Sequence, residues 1–281
     1  MPNQQDKLNK VKLLIIIGYI VGVMVVILAG IFLIMHIITP PDVGTVLGSY
    51  EPPPPETTGF YNPDDFVLDE NGFMTCQTGE YATGIDVSEY QTEVNWQEVK
   101  AAGVEFVFIR VGRRGSTEGK IYSDEMAQSH YDGAKEAGLQ VGAYFFSQAI
   151  TPKEAEEEAW FTLKQIDDWE LDLPVVYDWE WGGEDSRTTG LPNAMLTQCN
   201  RSFCEVIQNA GLQPMIYFNG YQGLMQMDLS QLEEYPFWLA LYDSGLDFPY
   251  QVDYWQYTQE GTVSGITGPV DLNIFLPNEL S

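Results

Sequence analysis

From residue 80 onward, apolar β-branched runs alternate with helical stretches, and that alternation limits the chain to a parallel sheet wrapped by helices. The runs Tyr81–Val87, Val104–Val111, Leu139–Ser147, Leu173–Trp181 and Gln213–Phe218 read as strands. Between them the pattern predicts helices over Asn95–Ala102, Tyr122–Ala137, Thr151–Asp168 and Asn193–Ala210. Gly103, Gly138 and Gly211 stand where helices stop, and Thr151-Pro-Lys-Glu154 opens its helix with a cap, a proline and an early acid. Past Phe218 the helices fade, leaving β-like pieces at Phe237–Tyr242, Val252–Tyr257 and Val270–Phe275. Strand–helix alternation of this length and repeat count favours an α/β fold closed as a barrel over an open sheet.

Before this domain the chain has a different character. Leu13 to Ile38 carries no charge and is almost wholly apolar. Its roughly 26 residues would span about 39 Å as a helix, enough to cross a bilayer with some tilt. Lys7, Lys10 and Lys12 precede it and no Lys or Arg follows until Lys100, so a single-pass anchor with a cytoplasmic N-terminus is expected. A cleaved secretory signal is the alternative, disfavoured by the length of the run and the lack of an A-x-A-like site. Residues 39–79 are rich in proline and acid, as in Glu51-Pro-Pro-Pro-Pro-Glu56, and read as a semi-extended extracellular linker. The expected organisation is therefore 1–38 tail and anchor, 39–79 linker and 80–281 folded domain.

The formal net charge is −28, with 41 acidic residues against 13 basic ones, three of which lie before the apolar run. Phosphate backbones need the opposite sign, so nucleic acid is excluded as a partner. Three cysteines make no disulfide framework, and two histidines offer no metal-ligand spacing.

Chemistry points to Leu173-Pro-Val-Val-Tyr-Asp-Trp-Glu-Trp181. Asp178 and Glu180 sit two apart at the end of a strand, so they emerge on one side, about 6.6 Å apart along the backbone. Two acids held close do not ionise independently, and one keeps a proton. Such a pair suits cleavage of a glycosidic bond, one group protonating the leaving oxygen and the other stabilising positive charge on the sugar. An acidic strand end facing water is the plain alternative. Other strand ends also carry polar or aromatic residues: Asp86, Arg110, Tyr144, Tyr217, Trp238 and Asp271.

Gly84-Ile-Asp-Val-Ser-Glu-Tyr-Gln91, Asp178-Trp-Glu180, Trp255-Gln-Tyr-Thr258 and Val270-Asp-Leu-Asn273 together resemble glycoside hydrolase family 25, the Chalaropsis-type lysozymes or N-acetylmuramidases. Phe108-Ile-Arg-Val-Gly112, Gly142-Ala-Tyr-Phe-Phe-Ser147, Met215-Ile-Tyr217 and Phe237-Trp-Leu-Ala240 extend the resemblance over Glu80 to Leu276 in order. It implies an irregular (β/α) barrel of the TIM type with fewer helices than strands, in keeping with the fading helices. It also implies a cofactor-free hydrolase cutting the β-1,4 bond between N-acetylmuramic acid and N-acetylglucosamine in peptidoglycan. By the resemblance Glu180 is the proton donor, Asp178 supports the reacting sugar, and Asp86 and Asp271 complete an acidic floor. Attack by a carboxylate and attack by the substrate's own N-acetyl group both stay open. Tyr144, Tyr217 and Trp238 are expected to meet sugar, with Trp255 a further candidate for stacking. Arg110 is either a charge partner of the floor or a substrate contact. The reading that follows is a membrane-tethered muramidase outside the cell; an inactive glycan-binding or wall-scaffold protein is the alternative.

Overall fold

Strand-forming runs become a barrel because their ends pair. The computed structural model describes residues 60–242 and 245–277; the expected anchor and the linker up to residue 59 lie outside them. A short hairpin, β1 (Phe66–Leu68) and β2 (Met74–Cys76), comes first. The barrel strands are β3 (Ala82–Val87), β4 (Phe106–Arg114), β6 (Gln140–Ser147), β7 (Val175–Trp179), β8 (Pro214–Asn219), β9 (Phe237–Ala240), β10 (Tyr254–Gly261) and β11 (Val270–Phe275). They are hydrogen-bonded in the circular order β3-β4-β6-β7-β8-β9-β10-β11, and β11 closes on β3. All neighbours run parallel except β11, which is antiparallel to both β10 and β3.

Helices α1 (Trp96–Ala101), α2 (Ala127–Glu136), α3 (Pro152–Gln165), α4 (Asn193–Asn209) and the short α5 (Gly220–Met225) follow β3 to β8. Among the described residues none is long and apolar enough to cross a membrane. Side chains fill the barrel as well as its outer shell, so its strands are buried on both faces. Phe106, Phe108, Trp238 and Tyr254 plug the interior. Gly84 and Gly142 make room for that plug: a Cβ would meet the Phe106 ring at 2.1 Å and the Phe108 ring at 2.4 Å respectively. Each glycine lies two residues before a site residue, Asp86 or Tyr144, on the same inward face.

Two expectations are corrected. The helix expected from Tyr122 begins at Ala127, because Ile121–Ser123 forms a strand, β5, antiparallel to the outer end of β4. The second half of the expected linker, residues 60–79, carries the β1–β2 hairpin packed on the barrel. Phe66 meets Trp255 edge to face at 5.3 Å, Phe73 is buried, and the Tyr61 hydroxyl donates to Val252 O at 2.8 Å. The Tyr257 hydroxyl accepts the Met74 N–H at 3.1 Å. The hairpin thus covers outward-facing residues of β10 where no helix follows. A fragment 80–281 would leave Trp255 and Tyr257 uncovered, and is expected to be less stable than 60–281 by about 3 kcal/mol or more. Urea unfolding of the two fragments checks this; equal midpoints would make the hairpin an ornament.

Candidate active site

The strands converge on a cavity of about 200 Å3 at the carboxyl-terminal mouth of the barrel. Asp86 (β3), Arg110 (β4), Tyr144 (β6), Asp178 (β7), Tyr217 (β8) and Trp238 (β9) line it from successive parallel strands, with Glu180 just past β7 and Asp271 at the start of β11. Eight of the nine residues singled out in the sequence therefore meet in one place, Trp255 being the exception. β11 contributes its first residues because it runs the other way. That reversal sets Asp271 directly opposite Asp86 in the ladder.

Asp86 is the anchored member of the cluster. Its Oδ2 accepts hydrogen bonds from Gln256 Nε2 at 2.8 Å and Asn273 Nδ2 at 2.9 Å. Gln256 Oε1 in turn accepts the Tyr217 hydroxyl at 3.0 Å and the Tyr242 hydroxyl at 2.5 Å, while Asn273 Oδ1 accepts the Trp238 indole N–H at 2.8 Å. Every donor in this network points toward Asp86, which keeps the charge there.

Burial raises all four carboxyls above their ordinary range. For Asp178 the negative charges of Glu180 and Asp86 add to the rise. For Glu180 a hydrogen bond with Tyr217 opposes it and the charge of Asp86 adds to it. Asp271 is pushed up to about 9, by burial first and then by Asp86. With Asp86 held ionised by two amides, the proton of this facing pair sits on Asp271. One oxygen of Asp178, Oδ1, is buried without a hydrogen-bond partner.

The sign of the Asp271 shift yields a prediction. An unfolded aspartate ionises near pH 4, whereas folded Asp271 keeps its proton to about pH 9. Between those values the folded state binds the extra proton, so stability falls as pH rises through the window. Asp271→Asn removes that cost and retains a donor toward Asp86. We expect the variant to exceed wild type by about 1–3 kcal/mol at pH 8 and to match it near pH 4. Thermal melts at the two pH values would refute this if the gain were equal at both.

The backbone carrying the pair is fixed from three directions. Gln148 Nε2 donates to Glu180 O at 2.5 Å, Gln222 Nε2 to Trp179 O at 3.2 Å, and the Trp179 indole to Ala149 O at 2.8 Å. Gly182 packs on Gln148, where a Cβ would meet Oε1 at 2.3 Å.

Two aromatic expectations change. Trp238 borders the cavity but is only 1% exposed, stacked on Phe108 at 4.8 Å with the Tyr217 ring against it. Its faces are used by the plug, so it supports the floor rather than offering a stacking surface. Trp255 points outward, under the hairpin, with its indole N–H donating to Leu241 O at 2.9 Å. Arg110 pairs with Asp124 at 2.9 Å and Glu89 at 3.1 Å, neither of them a floor carboxyl, while its charge lowers Asp178 through space. The sequence reading missed Gln256, Asn273, Tyr242 and Tyr90. Period two from Asp271 carries the signal for Asn273. Among the described residues, no group of three or more His, Cys, Asp or Glu could hold a metal ion.

A closed barrel with clustered carboxyls at the carboxyl ends of its strands is the frame of a sugar-cleaving hydrolase. The chain belongs to glycosyl hydrolases family 25, whose sequence model matches residues 85–266. It is 32% identical over 196 residues to the autolytic lysozyme of Clostridium acetobutylicum, covering 68% of this chain and 55% of that protein. It is 30% identical over 206 residues to lysozyme M1 of Streptomyces globisporus, covering 68% and 67% of the two chains. The muramidase structure from Trichobolus zukalii superimposes with a TM-score of 0.56 at 26% identity, over 70% of this chain and 95% of that one. This chain thus spans little more than half of the Clostridium protein.

Proposed function

We propose that the protein is a muramidase that hydrolyses the β-1,4 bond between N-acetylmuramic acid and N-acetylglucosamine in peptidoglycan. The observation that carries this reading is the carboxyl cluster in a mouth with one anchored charge, Asp86, and three further acids crowded around it. Of the two acids at the end of β7 Glu180 is the less enclosed, and its raised pKa keeps a proton available for the leaving oxygen. Asp178, buried with an unpaired Oδ1, suits acceptance of the N–H of the sugar's acetamido group. That contact would hold the acetamido oxygen against the anomeric carbon and favour the substrate-assisted route over direct attack. Tyr144, kept protonated by burial, supplies a hydroxyl donor beside the reacting sugar, while Tyr217, whose proton goes to Gln256, holds the amide that anchors Asp86.

The uncharged run Leu13–Ile38 supports a single-pass anchor, with the N-terminus cytoplasmic and the barrel outside the cell. The tether confines the enzyme to wall within its reach.

Digestion of purified peptidoglycan, with mass analysis of borohydride-reduced fragments, tests the activity. New ends carrying reduced muramic acid are expected. Reduced glucosamine ends would reassign the cut bond, and no new ends from the folded chain would favour a glycan-binding or scaffold role.

A further inference from the structure

Three exposed apolar side chains follow the carboxyl ends of the adjacent strands β7 and β8. Trp181 directly follows Glu180 and is 53% exposed; Tyr221 and Met225 are 66% and 51% exposed. The latter two stand four residues apart on α5 and so share a helix face. β7 and β8 are paired with Asp178 opposite Tyr217, so Trp181 and Tyr221 leave adjacent strands just beyond that pair. α5 is tied to the end of the loop from β7, because Asn193 Nδ2 donates to Met225 O at 2.8 Å. Across the mouth Tyr90 is 76% exposed, lines the cavity, and has the Arg110 guanidinium 5.3 Å from its ring centre. In the circular order β8 lies four strands from β3, on the far side of the barrel. Apolar surface therefore flanks the acidic floor at both ends.

A glycan strand is apolar only at the C–H faces of its rings and at its acetamido methyls, and aromatic and thioether side chains match those surfaces. Three side chains are too few for a protein interface, and the first of them is the chain neighbour of Glu180, which lines the cavity. We propose that Trp181, Tyr221 and Met225 form a distal sugar platform, so that the strand lies across the mouth from Tyr90 to α5. Affinity then depends on strand length and not only on the sugar pair being cut. This rests on the reading of the site as one for peptidoglycan glycan.

The test uses the full chain carrying Glu180→Gln, sedimented with insoluble peptidoglycan. Adding Trp181→Ala and Tyr221→Ala is expected to weaken co-sedimentation about tenfold. Trp160→Ala, 63% exposed on the outer helix α3, serves as the control and should leave it unchanged. In the active chain the same pair of changes should raise KM about tenfold on long strands, and less than twofold on the shortest cleaved oligosaccharide. Unchanged sedimentation, no sedimentation of the Glu180→Gln chain, or equal losses on long and short substrates would overturn the platform. Wild type that yields no reducing ends would instead sink the muramidase reading, while sedimentation still decides the platform.

Discussion

Glu180→Gln should lower turnover of peptidoglycan by about a thousandfold or more while leaving binding to the wall intact. The amide is nearly isosteric, so the backbone bonds from Gln148 and Gln222 that hold this stretch stay in place. What is lost is the proton for the departing sugar oxygen. An aryl glycoside, whose phenolate leaves without protonation, should therefore recover much of the rate in this variant. Asp178→Asn should behave differently. Its loss falls on the positive charge developing at the sugar, which an activated leaving group does not relieve, so no such recovery is expected. If both variants were rescued alike, or neither, the division of labour between the two acids would be wrong. The raised Glu180 pKa also sets a sign: wild-type activity declines on the alkaline side, where Glu180 gives up its proton.

Arg114→Ala is expected to cost about 3–5 kcal/mol of stability, the largest loss from a single change away from the mouth. Arg114 and Glu158 are buried between β4 and α3, with Nε 2.5 Å from Oε1. The guanidinium also donates to Gly119 O at 2.7 Å and Glu154 O at 3.0 Å, and Ser147 Oγ lies 2.6 Å from Glu158 Oε2. Removing the arginine leaves a carboxylate with no countercharge in a site already pushing it up to about 7. Glu158 then keeps its proton through neutral pH, whereas the unfolded chain gives it up near pH 4. Wild-type Glu158 holds its own proton up to about pH 7, so the two proteins lose stability in parallel below that. The deficit should widen as pH rises from about 7 to about 9, where Glu158 ionises in wild type but not in the variant. Glu158→Gln in the Arg114→Ala background should restore part of it. A deficit independent of pH would place the cost in the lost loop contacts instead.

The barrel was legible because its strands and helices obey their own periods. The acids were legible because carboxyls at the ends of apolar strands are conspicuous. The amides that anchor Asp86 were not, since Gln256 and Asn273 are neutral residues whose meaning appears only when β10 and β11 lie beside β3. The depth of Trp238 was not legible, because a strand position does not reveal depth inside a barrel. The hairpin escaped notice through brevity, with strands of three residues each embedded in acid- and proline-rich composition. Its turn signal was nonetheless present: Asn71-Gly72, with Gly72 at φ +84°, a conformation that favours glycine. Tyr122 fell to β5 because pairing with Arg113 across the ladder outweighs a weak helical pattern.

The closing strand gives the site a place in time. Asp86 lies near the start of the barrel, and its two amide donors and its proton-sharing neighbour all come from the last two strands. A chain still emerging from a ribosome or translocon holds Asp178 and Glu180 long before it holds Gln256, Asp271 and Asn273. Its first strand has no partner on that side until the last arrives. Arrival of β11, closure of the barrel and assembly of the charged floor are thus one event. A barrel built this way has no assembled floor before β11 docks, and nicking off that strand would take the floor apart.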